Sequence, residues 1–309
     1  MIEFRKVGLD ARDDILQYTL VSDERNCDFS FANLCSWAFL YHTEYAIKDD
    51  FLLLRFYIDG KPVYMVLAGG GDLAAVLSLL QEDTSRLKEE FRILGISQQM
   101  RERMEQTMPG QWVFDSDRNC FDYLYLRTDL STLKGKRFQA KRNHVNHFRK
   151  QYPNYEYKPL TMGLIQECMQ LEEEWYLENG CNGQKDLLAE RQSMQYVLEH
   201  QKELGVTGGV LEVDGRIVAF TCGAPINQDT WGICVEKANA EIEGAYAMIN
   251  FEYANQIEEK YVYINREEDL GLEGLRKAKL SYQPYCLLEK YSATYDYEGR
   301  SKKLMETLF

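Results

Sequence analysis

The chain has 309 residues with 36 basic and 49 acidic side chains, which gives a formal net charge of −13 at pH 7. A field of that sign repels nucleic acid and anionic membranes from most of the surface, and the sequence has no run of about 20 apolar residues that would span a bilayer. The length favours two domains, and because the N-terminus lacks an apolar signal region, we expect the protein to remain in the cytoplasm.

The first third of the chain alternates signals for helices and strands. Residues 11–20 and 28–42 have helical spacing, and an Asp-Gly pair at 59–60 joins two apolar stretches, as in a two-residue β-hairpin. Three glycines and Asp72 then lead into an apolar helix at 73–80, which a strand, a helix and two short strands follow. This order predicts a sheet that carries helices on its faces.

A basic segment lies between the two halves of the chain. Between Asp129 and Glu156 there are seven basic residues and no acidic one, and the pattern from Ser131 to Gln151 predicts one helix with a narrow apolar stripe. The helix is either a solvated bridge or an anion site on an acidic protein. The side chains that would grip a tRNA acceptor stem or a lipid headgroup are Lys134, Lys136, Lys141, Arg142 and Asn143.

The second half repeats the alternation more clearly. Two helices precede an Asp-Gly hairpin at 214–215, and a third strand, a helix at 244–257, a strand at 261–265, a short helix and one final strand at 286–291 follow. This order resembles that of an N-acetyltransferase-like (GNAT) domain. Because each half has an Asp-Gly hairpin before a glycine-led helix, the pattern also suggests an internal duplication.

These patterns together predict an α/β (α+β) fold of two fused GNAT-like units, with mixed sheets flanked by helices. We place an N-terminal unit at 1–130, the basic connecting helix at 131–155, and a C-terminal unit that carries the chemistry at 156–309.

The cysteines and histidines favour a reduced protein without a metal. None of the eight cysteines forms a Cys-x-x-Cys pair, and they lie in or beside apolar stretches, which favours reduced core residues over a disulfide framework. Of the histidines, only His144 and His147 are close together, and no acidic or thiol partner stands at zinc spacing around them.

Two longer segments resemble a known family. Asn119–Arg127 continues into the lysine-rich stretch that ends at Phe148, and Ile264–Pro284 contains Asn-Arg-Glu-Glu-Asp-Leu-Gly. They are similar to a bacterial family of unknown function related to the C-terminal domain of phosphatidylglycerol lysyltransferase, and the resemblance covers essentially the whole chain. It implies two fused acetyltransferase-like units that move an aminoacyl group from charged tRNA to an amine or hydroxyl acceptor, such as a lipid headgroup or a cell-wall precursor.

Two other functions remain open. An acyl-CoA-dependent N-acyltransferase acting on a small amine would use the same fold and would bind the coenzyme A pyrophosphate at a glycine-rich helix N-terminus. The matching position here is Gly244, but Glu241 replaces the usual cation or amide and Tyr246 replaces a small residue. The third function is that of a non-catalytic binding protein that retains the fold.

The candidate catalytic residues follow the apolar strand at 261–264, where sheet folds commonly place ligands. Acyl transfer needs positioning, oxyanion stabilisation and one proton acceptor. Asn265 is the candidate oxyanion donor, Asp269 or Glu267 would accept the proton of the acceptor, and Tyr285 would protonate the leaving group.

The remaining candidates are charged side chains around this strand end. Arg276 and Lys279 share a helix face, and with Arg266 they would hold phosphates of the donor, while Glu190 would bind the acceptor amine. The alternative for each of these residues is a structural role in capping, packing or a solvated surface.

Overall fold

A computed structural model describes residues 2–67, 69–178 and 185–296 of the chain. The strands of these ranges are β1 (Arg5–Lys6), β2 (Glu44–Lys48), β3 (Phe51–Ile58), β4 (Lys61–Leu67), β5 (Arg92–Ile96), β6 (Trp112–Ser116), β7 (Asp122–Leu126), β8 (Glu156–Pro159), β9 (Thr207–Val213), β10 (Arg216–Pro225), β11 (Thr230–Ala238), β12 (Tyr263–Asn265), β13 (Cys286–Leu288) and β14 (Tyr291–Tyr295). The α-helices are α1 (Arg12–Thr19), α2 (Phe31–Ser36), α3 (Ala38–Tyr41), α4 (Leu73–Leu87), α5 (Gln98–Thr107), α6 (Arg127–Thr132), α7 (Gln139–Gln151), α8 (Ile165–Glu178), α9 (Lys185–Glu199), α10 (Gln201–Leu204), α11 (Ala245–Gln256) and α12 (Glu273–Leu280).

The strands form two seven-stranded mixed sheets. The first has the order β1-β2-β3-β4-β5-β14-β6, and the second has the order β13-β7-β12-β11-β10-β9-β8. The pairs β4–β5 and β11–β12 are parallel and the others are antiparallel. The predicted α/β (α+β) class, with mixed sheets flanked by helices, is confirmed.

The two predicted hairpins are present with the backbone that their turn residues favour. Asp59 and Gly60 have φ of 52° and 76°, and Asp214 and Gly215 have φ of 50° and 79°. Positive φ at both central residues is typical of the tight turns whose twist matches that of the flanking strands.

Each sheet takes one strand from the other half of the chain. β7 lies in the second sheet although it precedes the predicted connecting helix, and β14 closes the first sheet between β5 and β6. The single final strand predicted at 286–291 is wrong, because β13 and β14 are separate strands in different sheets. Sheet membership therefore does not follow the boundaries at 130 and 155, and the division into units at 1–130 and 156–309 stays a prediction.

The basic connecting segment is not one helix. α6 ends at Thr132, the next residue, Leu133, has φ of 49°, and Gly135 has φ of 94°. These left-handed conformations interrupt helical hydrogen bonding, and the Arg142 guanidinium donates to the carbonyl oxygens of Leu133 and, at 2.6 Å, of Gly135. α7 then starts at Gln139 and buries Val145 and Phe148.

One of the hydrophobic clusters contains residues from both halves of the chain. Phe31 and Leu52 from the first half and Met194 and Phe220 from the second belong to the same buried cluster. α2 contributes buried side chains to this cluster, and its Asn33 contacts Glu267 in the loop that follows β12, where the candidate site is found.

Candidate functional site

The second sheet opens between β11 and β12. The two strands pair only from Thr230 to Gly232 with Tyr263 to Asn265, and β11 continues to Ala238 while the chain leaves the sheet after Asn265. In the pairing of β11 with β10, the register passes over Cys234, so a β-bulge lies beside the opening. Where β11 and β12 separate beside this bulge, main-chain groups and side chains are available to bind a ligand.

Glu267 lies on the side of this opening that faces α2. Its Oε1 accepts a hydrogen bond of 2.9 Å from Asn33 Nδ2, and the residue as a whole is half-buried. Burial raises the pKa of Glu267 to about 8, and the charge of Glu268 contributes in the same direction. A carboxylate with a pKa near neutrality can accept a proton and release it again, so Glu267 stays a candidate for the proton acceptor.

Asp269 is the other candidate proton acceptor, and its carboxylate already accepts hydrogen bonds from four residues of the protein. Its carboxylate is fully buried and accepts from Arg276 at 2.7 and 2.9 Å, from Tyr123 Oη at 2.6 Å, from Arg118 at 3.2 Å and from the amide of Gly271 at 2.9 Å. The hydrogen bonds from Arg276 hold the pKa of Asp269 well below its usual range. Without access to substrate and without proton affinity, Asp269 does not fit a general base, so its predicted role is corrected to a structural one.

We expect Asp269→Asn to reduce stability without removing a catalytic group. The side-chain amide of Asn cannot replace the bidentate, charged contact between Asp269 and Arg276. The free energy of unfolding should therefore fall by about 2 kcal/mol at pH 7. Since the folded-state pKa of Asp269 is lowered, its contribution is present above the unfolded pKa and is lost as pH falls through the folded value. Urea unfolding of both proteins at pH 7 measures the difference, and equal midpoints would contradict this role.

Asn265 and Tyr285 do not lie where an oxyanion donor and a leaving-group acid would. Asn265 is fully buried, donates to Arg25 O (2.7 Å) and Asp122 Oδ2 (2.8 Å), and accepts from the amide of Glu267 (2.7 Å). Tyr285 is exposed, and its ring packs beside Tyr263 at the start of β12, the end away from the opening. Both predictions are corrected, because Asn265 has no free donor and Tyr285 faces the surface.

Two predicted phosphate-binding residues instead hold the loop that carries Glu267. Lys279 is buried, and its Nζ donates to the carbonyl oxygens of Arg266 (2.5 Å) and Glu268. Arg276 is engaged by Asp269 and by Asn119 Oδ1 at 2.7 Å. These contacts fix the loop after β12, so Glu267 is positioned before any substrate arrives.

A buried cluster of charges lies under the same loop. Lys290 Nζ is 2.8 Å from Asp122 Oδ1, 3.1 Å from Asp28 Oδ2 and 3.7 Å from Glu268 Oε2. Burial alone would lower the pKa of Lys290, but the carboxylates outweigh burial and raise it. The possible ligand atoms of Cys27, Asp122 and Glu268 lie within 4.8 Å of one another, yet the Lys290 ammonium already supplies the positive charge there, so this cluster does not favour a metal ion.

Gly244 is not open to a pyrophosphate. It has φ of 85°, and a Cβ on it would lie 2.7 Å from the carbonyl oxygen of His144, so α7 packs directly against the start of α11. Gly244 thus permits a close approach of two backbones, and its predicted phosphate role is corrected.

The remaining basic candidates and Glu190 have different surroundings. Lys134, Lys136 and Asn143 are exposed, whereas Arg142 holds the turn before α7. Lys141 is half-buried, with Nζ 3.9 Å from the centre of the Tyr282 ring. Glu190 Oε1 accepts from Lys237 Nζ at 2.8 Å, so it is neutralised by a lysine of β11.

Several residues of the site carried no local sequence signal. Asn33 meets Glu267 across a separation of 234 residues. Glu236 of β11 accepts hydrogen bonds both from Arg266 and from Asn250 of α11. Asn33 lies in the segment 28–37, which is also similar to the N-terminal half of the family related to phosphatidylglycerol lysyltransferase, and only this resemblance could have drawn attention to it.

Two mixed sheets flanked by helices, with a parted parallel strand pair in the second, place the protein among tandem GNAT-like folds. Residues 20–294 match the family model described as phosphatidylglycerol lysyltransferase, C-terminal, and the chain belongs to this family. The predicted resemblance and the predicted pair of fused GNAT-like units are therefore confirmed. Family membership relates the protein to the aminoacyltransferases.

Similar proteins cover the whole chain. A conserved protein of unknown function from Bacteroides thetaiotaomicron VPI-5482 is 55% identical over 96% of this chain and 100% of that one, with a TM-score of 0.94. The structure of L-PGS from Bacillus licheniformis is 16% identical and covers 97% of this chain and 96% of that one, with a TM-score of 0.65, which shows a shared fold.

A curated relative matches a shorter stretch. An uncharacterised protein of Mycoplasmoides gallisepticum is 24% identical over 173 residues, which are 55% of this chain and 54% of the relative. The chain thus spans about half the length of that relative.

Membrane helices and cysteines can be judged only within the described ranges. No helix there combines the length and the apolar character needed to cross a bilayer. Seven cysteines are free thiols, and Cys181 lies outside the described residues.

Proposed function

We propose that the protein transfers an aminoacyl group from charged tRNA to an amine or hydroxyl acceptor at the opening between β11 and β12. The observation that carries the proposal is Glu267, a half-buried residue at this opening whose carboxylate contacts Asn33 and whose pKa burial raises to about 8. Family membership supports the aminoacyl group as the moiety transferred.

The reaction needs one proton acceptor and no further covalent group. The acceptor nitrogen or oxygen attacks the carbonyl carbon of the aminoacyl ester, and its proton passes to Glu267. The ester C–O bond then breaks, and the ribose hydroxyl leaves with a proton returned by the Glu267 carboxyl group. A lipid headgroup or a cell-wall precursor would supply the acceptor, and the tRNA would be the transient partner.

The surroundings of α11 favour tRNA over acyl-CoA as the donor. α7 covers Gly244, and Glu243, beside it, faces His147 with 3.3 Å between Oε2 and Nε2. A carboxylate at a covered helix start opposes a pyrophosphate. The acyl-CoA-dependent transferase is thus the second candidate, and the non-catalytic binding protein is the third.

The donor can be identified by supplying each class separately. Purified protein would be incubated with tRNA charged with a mixture of labelled amino acids, or with labelled acyl-CoA, in the presence of total lipid and cell-wall precursor fractions. We expect protein-dependent label in one acceptor fraction from charged tRNA only. Label from acyl-CoA alone would favour the second candidate, and no transfer from either donor would favour the third.

A further inference from the structure

A second polar group of side chains lines the opening on the side towards α7 and α12. Arg266 Nη2 is 2.6 Å from Glu236 Oε1, and Asn250 Nδ2 donates to Glu236 Oε2 at 3.2 Å. The Arg266 guanidinium lies 4.8 Å from the centre of the Tyr282 ring, and Lys141 Nζ lies over the same ring. α7, β11, α11 and the loop after β12 therefore bring two cations, one carboxylate and one amide close together.

Two atoms of this group are buried without a partner. Arg266 Nη1 and Asn250 Oδ1 form no hydrogen bond within the part of the chain that the structure describes. The Arg266 side chain is only 10% exposed and Asn250 only 5%. A buried polar atom without a partner costs about 1–3 kcal/mol, so natural structures retain such atoms chiefly where a ligand, ion or water supplies the missing contact.

The charge and the unpaired polar atoms of this group favour binding of an anion. Lys141 forms no ion pair with a carboxylate of the described residues, whereas Glu236 is already neutralised by Arg266. The three charges leave an excess of one positive charge, which would repel a cationic ligand. Arg266 Nη1 and the Lys141 ammonium are free donors for oxygen atoms, and Asn250 Oδ1 is a free acceptor for a hydroxyl group.

We propose that Lys141, Arg266 and Asn250 form a subsite for a phosphate ester that carries a neighbouring sugar hydroxyl, as at the terminal nucleotide of an RNA 3′ end. The inference rests on the proposed function, because it assigns this side of the opening to the donor and the Glu267 side to the acceptor.

Anion binding at this subsite should depend on the protonation state of Lys141. Burial and the nearby charge of Arg266 together lower the pKa of Lys141 to about 8, although the charge of Glu236 acts in the opposite direction. Burial raises the pKa of Tyr125 and Tyr282, which therefore stay neutral from pH 7 to 9. An anion favours charged Lys141 and raises its pKa again, so affinity should fall about tenfold from pH 7 to 9 as free Lys141 loses its proton.

Calorimetric titration with AMP tests the subsite without catalysis. Adenosine is the uncharged control ligand, and Lys150→Met, which removes an exposed lysine of the same helix, is the matched control variant. We expect Lys141→Met to weaken AMP binding at pH 7 by about tenfold or more and to leave adenosine binding unchanged. Lys150→Met should bind AMP like the wild type.

The variant Lys141→Arg separates charge from titration. Arginine keeps the positive charge throughout this range, so this variant should retain AMP binding and lose the part of the pH dependence between 7 and 9 that Lys141 contributes. Glu267, whose pKa is raised to about 8, titrates in both proteins. Equal binding of AMP and adenosine by the wild type, or unchanged AMP binding in Lys141→Met, would overturn the proposal. So would an unaltered pH dependence in Lys141→Arg.

The proposed function can fail while this inference stands, and the reverse also holds. Lys141-dependent AMP binding in a protein that transfers nothing from charged tRNA would support the subsite and reject the transferase. If the protein transfers an aminoacyl group from charged tRNA but Lys141→Met leaves AMP binding unchanged, the subsite is rejected and the proposed function is not. Coenzyme A titrated in parallel, if it bound through Lys141 more tightly than AMP, would assign the same phosphate chemistry to a thioester donor.

Discussion

Replacing Glu267 with Gln should lower aminoacyl transfer by about 10²–10⁴, the usual scale for the loss of a general base. Gln keeps the size of the side chain and can still accept the hydrogen bond from Asn33 Nδ2, so the fold should be preserved. Initial rates with the donor identified above measure the effect. Glu273→Gln, at an exposed position on α12, is the matched control and should retain wild-type turnover.

The same residue should shape the pH profile of turnover. Because burial raises the pKa of Glu267 to about 8, wild-type turnover should rise with pH up to about that value as the carboxylate forms. A carboxyl group with a raised folded-state pKa costs stability as pH rises from its unfolded value towards its folded one. Glu267→Gln should therefore be more stable than the wild type at pH 8 and equally stable at pH 4. Wild-type turnover in this variant would remove Glu267 from the mechanism.

Replacing Lys290 with Met should destabilise the protein by about 3–5 kcal/mol at pH 7, the scale for removing one partner of a buried ion pair. The ammonium is buried and contacts Asp122, which is itself fully buried, and also Asp28 and Glu268. Without it these carboxylates repel one another in a poorly solvated space. Urea or guanidinium unfolding measures the loss.

The electrostatic origin of this loss can be checked in two ways. In the wild type, burial would raise the pKa of Asp122, but Lys290 and hydrogen bonds lower it overall. Without Lys290 the carboxylate should take up a proton more readily, so the deficit should shrink as pH falls. The double variant Lys290→Met/Asp122→Asn should recover part of the stability, and Lys260→Met, at an exposed lysine, should cost little. A deficit that is unchanged by pH and by the second substitution would indicate lost packing instead.

The sequence predicted the elements well where local chemistry determines them. The Asp-Gly pairs specify the turns of β3–β4 and β9–β10 because both central residues need positive φ. The periodicity of α1 and α5 and the apolar runs of β10 and β11 are also local properties. The predicted basic helix failed at Leu133, since a leucine with left-handed backbone is held there by tertiary contacts, among them Arg142, that no local pattern reveals.

The site was predicted in location and only partly in detail. The loop after β12 was singled out by its polar sequence at a strand end, and Glu267 was among its candidates. Sequence alone could not separate Glu267 from Asp269, because the difference lies in their partners: Asn33 is remote in the chain, and Tyr123 belongs to a strand from the other half. The subsite around Arg266 likewise depends on β11, α7 and α11 meeting at one place.

The exchange of strands between the sheets has a consequence for synthesis on the ribosome. In the first sheet β6 has β14 as its neighbour, and β6 ends at Ser116 whereas β14 begins at Tyr291. At elongation rates of about 5–20 residues per second, β6 therefore leaves the ribosome on the order of ten seconds or more before its partner is made. During that interval the nascent chain presents an unpaired strand edge next to Phe91 and Trp112, the kind of surface that chaperones bind and that aggregates when it is left uncovered. A stalled or prematurely terminated chain would keep that edge exposed. The first sheet can therefore be completed only after nearly the whole chain has been synthesised.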